Sequence, residues 1–147
     1  AIHRINFVDF VRSRIEFFTQ TAIKFKSKFE FIHKTDEIIL DFNEIKLQRI
    51  VDNNLTNAIK YTLENETIYV VLKVHRADCD LIIESRSAQI LDPQKIFEEY
   101  HREEISKEGF GLGLNLVKRI CNEENVGIKL ESGENWASFT YTFKGVI

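Results

Sequence analysis

Over residues 44–62 the apolar positions Leu47, Val51, Leu55, Ala58 and Ile59 recur every three or four residues, which predicts an amphipathic helix with Asn43 as its N-cap. Stepping about 100° per residue from Asn53 at zero, Asn57 falls at about 40°, Lys60 at about −20° and Tyr61 at about 80°. The apolar set falls between about 120° and 240°. The stripe therefore packs on a sheet, and a face of amides, lysine and tyrosine points away from it. Phe7, Val8, Val11, Ile15, Phe18 and Ala22 have the same spacing and predict a first helix over residues 7–21. Alternation then takes over, with Phe25, Phe29 and Phe31 against Lys26, Lys28 and Glu30, and predicts a strand over 24–32 followed by a short one over 37–42. Further strands are expected at 67–75 and 79–84, joined near Ala77 and Asp78, and at 126–131 and 137–143, joined through Gly133, Glu134 and Asn135. Asp92-Pro93 introduces a short helix at 94–100. A polar segment, 101–108, then leads to a glycine cluster, and 112–124 is helical again. This order implies a two-layer α/β sandwich: a mixed, mostly antiparallel sheet with about three helices on one face.

Composition narrows the function classes. A chain of 147 residues accommodates one domain, residues 1–147, with a substantial core. A net charge of −3 and scattered basic residues give no field for nucleic acid. The nearest approach to a basic run, Lys24-Phe25-Lys26-Ser27-Lys28, alternates and reads as the exposed face of a strand. No stretch of about 18 apolar residues is present, so no membrane insertion is expected, and no secretory signal pattern opens the chain. Cys79 and Cys121 make neither a disulfide framework nor a metal site, which fits a reducing cytoplasm. His3, His33, His75 and His101 are never at metal-ligand spacing.

Two features carry candidate chemistry. Asp52, Asn53, Asn54 and Asn57 sit inside a predicted helix, where each is roughly 0.5 kcal/mol worse than alanine. A solvated helix face is the plain reading, but such a face needs no asparagine, since these side chains serve better at caps and turns. An amide oxygen beside triphosphate oxygens suits Mg²⁺, which takes hard oxygen ligands and keeps several waters. Asn57 is placed to be that ligand, Lys60 to reach a phosphate one turn on, and Asn53 to orient a metal-bound water or the attacking group. The second feature is Gly109-Phe110-Gly111-Leu112-Gly113, which holds three of the six glycines directly before a helix. Backbone N–H groups at such a helix start favour an anion. A flexible hinge is the plain alternative. The cluster is neither a dinucleotide fingerprint, since no strand directly precedes it, nor a Walker A loop, since Gly113 is followed by Leu114.

With both features in view, the chain resembles the ATP-binding catalytic domain of sensor histidine kinases, within the gyrase/Hsp90/histidine kinase/MutL ATPase group. Residues 47–62, Leu-Gln-Arg-Ile-Val-Asp-Asn-Asn-Leu-Thr-Asn-Ala-Ile-Lys-Tyr-Thr, look like that family's N box. Ile96-Phe97-Glu98-Glu99-Tyr100-His101-Arg102 looks like its F box, and residues 109–114 with Val117-Lys118-Arg119-Ile120 like its G2 box. The resemblance runs over nearly the whole chain. It implies a Bergerat-type α/β sandwich, ATP and Mg²⁺ as cofactors, and Asn57 as the metal ligand, with Asn53 and Asn57 catalytic. Nucleotide contacts would come from Asn53, Asn57, Lys60, Tyr61, Ser85, Ile90, Phe97, Tyr100, Arg102, Gly109, Gly111, Leu112, Gly113 and Leu114. Residues 97–108 would form a lid, docked by Phe97 and Tyr100, with Arg102 near the phosphates. The implied partners are a dimerisation and phosphoacceptor hairpin and the receiver domain of a response regulator. The implied setting is cytoplasmic, with a parent protein of the kind that can be anchored in the inner membrane.

The chain departs from the family at three places. Where an Asp-x-Gly-x-Gly box is expected, Ser85-Arg86-Ser87-Ala88-Gln89 stands, followed by Ile90. Ser85 replaces the acid that accepts the adenine amino proton, a loss of roughly 1.5–3 kcal/mol for a charged hydrogen bond, or about tenfold to a hundredfold in affinity. A later Gly-x-Gly-Thr turn keeps Gly133 alone, with Trp136-Ala137-Ser138 following. None of the four histidines has the family's His-Glu-x-x-x-Pro phosphoacceptor context, which implies a catalytic domain whose hairpin is cut away or encoded upstream. The sequence thus supports a kinase domain first. A degenerate nucleotide-binding or interaction module is second, and another ATPase of the group third.

Overall fold

The computed structural model describes residues 1–87 and 110–146. The expected helix at 94–100, the lid at 97–108 and Ile90, Phe97, Tyr100, His101, Arg102 and Gly109 lie outside the described residues. The chain opens with strand β1, His3–Asn6, and helix α1, Phe7–Lys24. Strands β2, Lys28–His33, and β3, Ile39–Phe42, lead to helix α2, Glu44–Tyr61. Strands β4, Thr67–His75, and β5, Asp78–Ser85, precede helix α3, Phe110–Glu124. Strands β6, Gly127–Gly133, and β7, Trp136–Lys144, close the fold.

Five strands form one sheet in the order β2-β4-β5-β7-β6. The β2–β4 pair is parallel and the other pairs are antiparallel. A parallel pair needs a crossover, and β3 with α2 supplies it. The inward strand positions Ile68, Val70 and Leu72 of β4 and Cys79, Leu81 and Ile83 of β5 are buried. So are Leu47, Ile50, Val51, Leu55, Ala58 and Ile59 of α2, the stripe expected from periodicity together with Ile50. The expected two-layer α/β sandwich is therefore the fold. Burial pushes the Cys79 and Cys121 thiols up to about 12, so both stay protonated and inert.

Three local departures from the predicted elements have physical causes. First, β1 pairs antiparallel with β3 in a separate two-stranded sheet. Four residues without alternation give no periodic signal. Asn6 makes the junction: its Oδ1 accepts from Val8 N at 3.2 Å as the α1 N-cap and from Ile38 N at 3.2 Å beside β3. Phe7 and Phe42 then pack edge-on to Phe143, with centroids 4.9 and 5.5 Å away, which fastens this sheet to the main core. Second, Lys24, Phe25 and Lys26 are not strand. The helix ends in a Schellman motif, with Ser27 N donating to Ala22 O and Lys26 N to Ile23 O, both at 2.9 Å. Lys26 takes the left-handed position, φ 61, where glycine is the usual signal, so the sequence carried no stop sign. Third, α3 begins at Phe110, earlier than expected, so Gly111 and Gly113 belong to its first turn.

Candidate functional site

The polar residues of α2 separate into two groups. Asp52 accepts from Arg14 Nε at 2.8 Å and Nη2 at 2.7 Å, a bidentate pair that locks α1 to α2. The Arg14 guanidinium also lies over the Phe17 ring, 4.6 Å from its centroid. Asn54 is buried; its Nδ2 donates to Ile50 O at 2.8 Å and its Oδ1 accepts from the fully buried Tyr141 hydroxyl at 2.8 Å. Burial drives the Tyr141 phenol far above its ordinary range, against the smaller opposing effect of the Asn54 bond, so it remains a neutral donor. These two residues, mid-helix and polar like their neighbours, are structural.

Asn53 and Asn57 differ. Asn53 donates through Nδ2 to Arg49 O at 2.8 Å, which holds its Oδ1 toward α3. A Cβ on Gly113 would meet that oxygen at 2.6 Å. A side chain at 113 would have to push the Asn53 amide aside, so glycine lets the start of α3 lie against α2 with Asn53 in place, and the two sequence features are brought together at this point. Asn57 is 8% exposed, and its Nδ2 is enclosed with no hydrogen-bond partner. Leaving a buried amide unpaired costs roughly 1–3 kcal/mol. The two ends of an amide are told apart only by their partners, so the side chain offers either a donor or an acceptor to an incoming group. An amide oxygen is a hard, neutral ligand, and an Asn57 side chain turned to present its oxygen would suit Mg²⁺ bound with a polyphosphate.

Lys60 and Tyr61 are half-buried in the last turn of α2. The Tyr61 ring joins a small apolar cluster around the fully buried Leu114, with Ile128, Leu130 and Phe139. Leu114 is thus packed beneath the site. Of Gly111 and Leu112, the backbone lies in the first turn of α3, whose N–H groups have no partner within the helix. Ser85 closes β5 and is 9% exposed. The C-terminus of α2 is tied next to it: Leu63 N donates to Arg86 O at 2.7 Å, and the Thr62 hydroxyl to the same oxygen at 3.2 Å. Asn53, Asn57, Tyr61, Gly113 and Ser85 therefore lie on three elements, α2, α3 and β5, joined by direct contacts.

Two of the described histidines, His33 and His75, have side-chain partners. His33 Nε2 faces Arg12 Nη2 at 3.1 Å, and His75 Nε2 lies 3.1 Å from Asp80 Oδ2. No described group of His, Cys, Asp and Glu residues could hold a metal ion. No described helix is long and apolar enough to cross a membrane.

Comparison with known proteins agrees with this architecture. Residues 42–145 match the model of the histidine kinase-, DNA gyrase B- and HSP90-like ATPase family. The chain is 31% identical over 91 residues to the probable sensor kinase SilS of Salmonella typhimurium, covering 58% of this chain and 18% of that protein. It is 35% identical over 82 residues to the sensor histidine kinase HprS of Escherichia coli, covering 54% of this chain and 18% of that protein. The chain thus spans under a fifth of each of these relatives. The catalytic domain of histidine kinase ThkA superposes with a TM-score of 0.88 at 20% identity, over 99% of this chain and 96% of that one. The mycobacterial sensor histidine kinase MprB superposes with a TM-score of 0.83 at 19% identity, over 99% and 98%. The chain belongs to the histidine kinase-, DNA gyrase B- and HSP90-like ATPase family, and its fold is that of the sensor histidine kinase catalytic domain.

Proposed function

We propose that this domain binds Mg-ATP between α2 and the first turn of α3 and passes the γ-phosphoryl group to a histidine on a separate helical hairpin. From there the group goes to an aspartate of a response regulator. The observation that carries the reading is Asn57, a buried amide with no protein partner on the face where Asn53 meets Gly113. Asn57 would hold the metal, which when bound would supply positive charge against the phosphate oxygens. Asn53, with its Nδ2 spent on Arg49 O, keeps its oxygen aimed at the phosphate end of the site. The first-turn N–H groups of α3, Gly111 and Gly113 included, receive the phosphates. Lys60 adds positive charge. Tyr61 lines the apolar wall, and Ile90, Phe97, Tyr100, Arg102, Gly109 and Leu112 complete the pocket and its lid. At the base end Ser85 stands in for the acid of the Asp-x-Gly-x-Gly box. A relative in fold, ThkA, has been crystallised with the response regulator TrrA, which supports a receiver domain as partner. The setting is the cytoplasmic side of a sensor protein.

Chemistry here is positioning and charge neutralisation. The isolated domain therefore binds nucleotide but barely phosphorylates itself, since none of its histidines has the expected acceptor context. Calorimetric titration with a non-hydrolysable ATP analogue, with and without Mg²⁺, tests this. Binding should require Mg²⁺, and Asn57→Ala should weaken it at least about tenfold, one lost charge-assisted contact. Absence of binding at millimolar nucleotide would sink the kinase reading and favour a non-catalytic module of the same fold.

A further inference from the structure

Ser85 is a second largely buried polar residue beside the end of α2. Burial alternates along β5 through Cys79, Leu81, Ile83 and Ser85, which puts Ser85 on the face that the helices cover. It is nine-tenths buried, and its hydroxyl makes no hydrogen bond among the described residues. The cross-strand register sets what faces it. Large residues oppose one another along this face, Leu81 against Tyr141 and Ile83 against Phe139, but the last pair is Ser85 against Ala137. The side chains of this face are therefore smallest at the end of the sheet. Phe139, two residues along β7 from Ala137, packs in the Tyr61 and Leu114 cluster, and the Arg86 carbonyl that anchors the end of α2 directly follows Ser85. An apolar wall beside one buried hydroxyl suits a flat heteroaromatic ring with a polar edge.

We propose that Ser85 makes this site tolerant of the purine 6-substituent, so that it accepts both 6-amino and 6-keto purine nucleoside triphosphates. The proposal rests on the reading of the site as a nucleotide pocket with Ser85 at its base end. A carboxylate at this place only accepts hydrogen bonds, so it pairs with an amino group and repels a keto oxygen. A hydroxyl rotates to do either: it accepts from the 6-amino group of adenine or donates to the 6-keto group of hypoxanthine. Selectivity based on a charged acceptor is exchanged for tolerance, and each partner gains one neutral hydrogen bond.

The test is titration of the whole domain, with Mg²⁺, by imido analogues of ATP and of inosine triphosphate. In the native protein the two affinities should agree within about tenfold. Ser85→Asp should separate them, favouring ATP by a further tenfold to hundredfold, the value of one charged contact. Ser85→Asn, which retains both donor and acceptor, should leave the ratio within about tenfold and carries the comparison should the buried aspartate prevent folding. A native preference for ATP above a hundredfold, or a folded Ser85→Asp protein with an unchanged ratio, overturns the proposal while leaving Mg-ATP binding intact. If neither analogue binds at millimolar concentration, the nucleotide reading itself fails and takes this inference with it.

Discussion

Along α2, the side that meets α1 and β7 and the side that meets α3 and the end of β5 treat polar groups in opposite ways. On the first, Asp52 is paired twice to Arg14, and Asn54 bridges Ile50 O and the Tyr141 hydroxyl. On the second, the Asn57 Nδ2 is enclosed with nothing to bond, and the largely buried Ser85 makes no side-chain hydrogen bond among the described residues. Composition does not distinguish the two, since asparagine occurs in both. Satisfaction does. A paired buried amide contributes to one well-defined core, whereas an unpaired one is a standing cost that a ligand can offset.

The largest effect that would break this comparison is on stability. Asn54→Ala removes the acceptor of a fully buried phenol and should cost about 2 kcal/mol. Asn57→Ala removes a group that has no partner and should cost nothing or raise stability slightly. Urea melts of both variants check this, and equal losses would show that Asn57 is structural after all. Gly113→Ala sharpens the link between α2 and α3. Its Cβ must displace Asn53 Oδ1 from 2.6 Å, against the hold of Arg49 O. A loss of about 1–2 kcal/mol is expected, together with weaker nucleotide binding by the titration described above. Unchanged binding with lowered stability would make Gly113 a packing residue alone. The smallest effect lies outside both regions. Lys26→Gly relieves a left-handed residue at the end of α1 and should stabilise the domain by about 1 kcal/mol with nucleotide affinity untouched. It provides a control that separates stability from site geometry.

Much of this was legible in the chain because periodicity is a local property. The α2 stripe from Leu47 to Ile59, its Asn43 cap and the β4–β5 pair follow from spacing alone, and Asn43 Oδ1 does accept from Lys46 N at 2.9 Å. Local signals failed where a partner far along the chain decides the conformation. Strand β1 exists because β3 pairs with it, and Lys26 turns left-handed because a Schellman motif forms without glycine. The glycine cluster was visible, but Gly113 owes its glycine to Asn53, a contact between separate helices.

The asparagine helix shows where the division falls. Sequence by itself determined that α2 is amphipathic, that Asn53, Asn57 and Lys60 share its polar side, and that glycines crowd the start of α3. Helix geometry repeats every 3.6 residues whatever surrounds it. Tertiary structure alone decided which asparagines are spent. Asn54 lies about 100° from Asn53, at the edge of the apolar stripe, and the Tyr141 hydroxyl turns that edge into core. The end of α2 and the end of β5 come together because Leu63 N and the Thr62 hydroxyl are fastened to the Arg86 carbonyl. Whether a buried polar group has a partner depends on atoms brought in from other elements, and no spacing along one element records it.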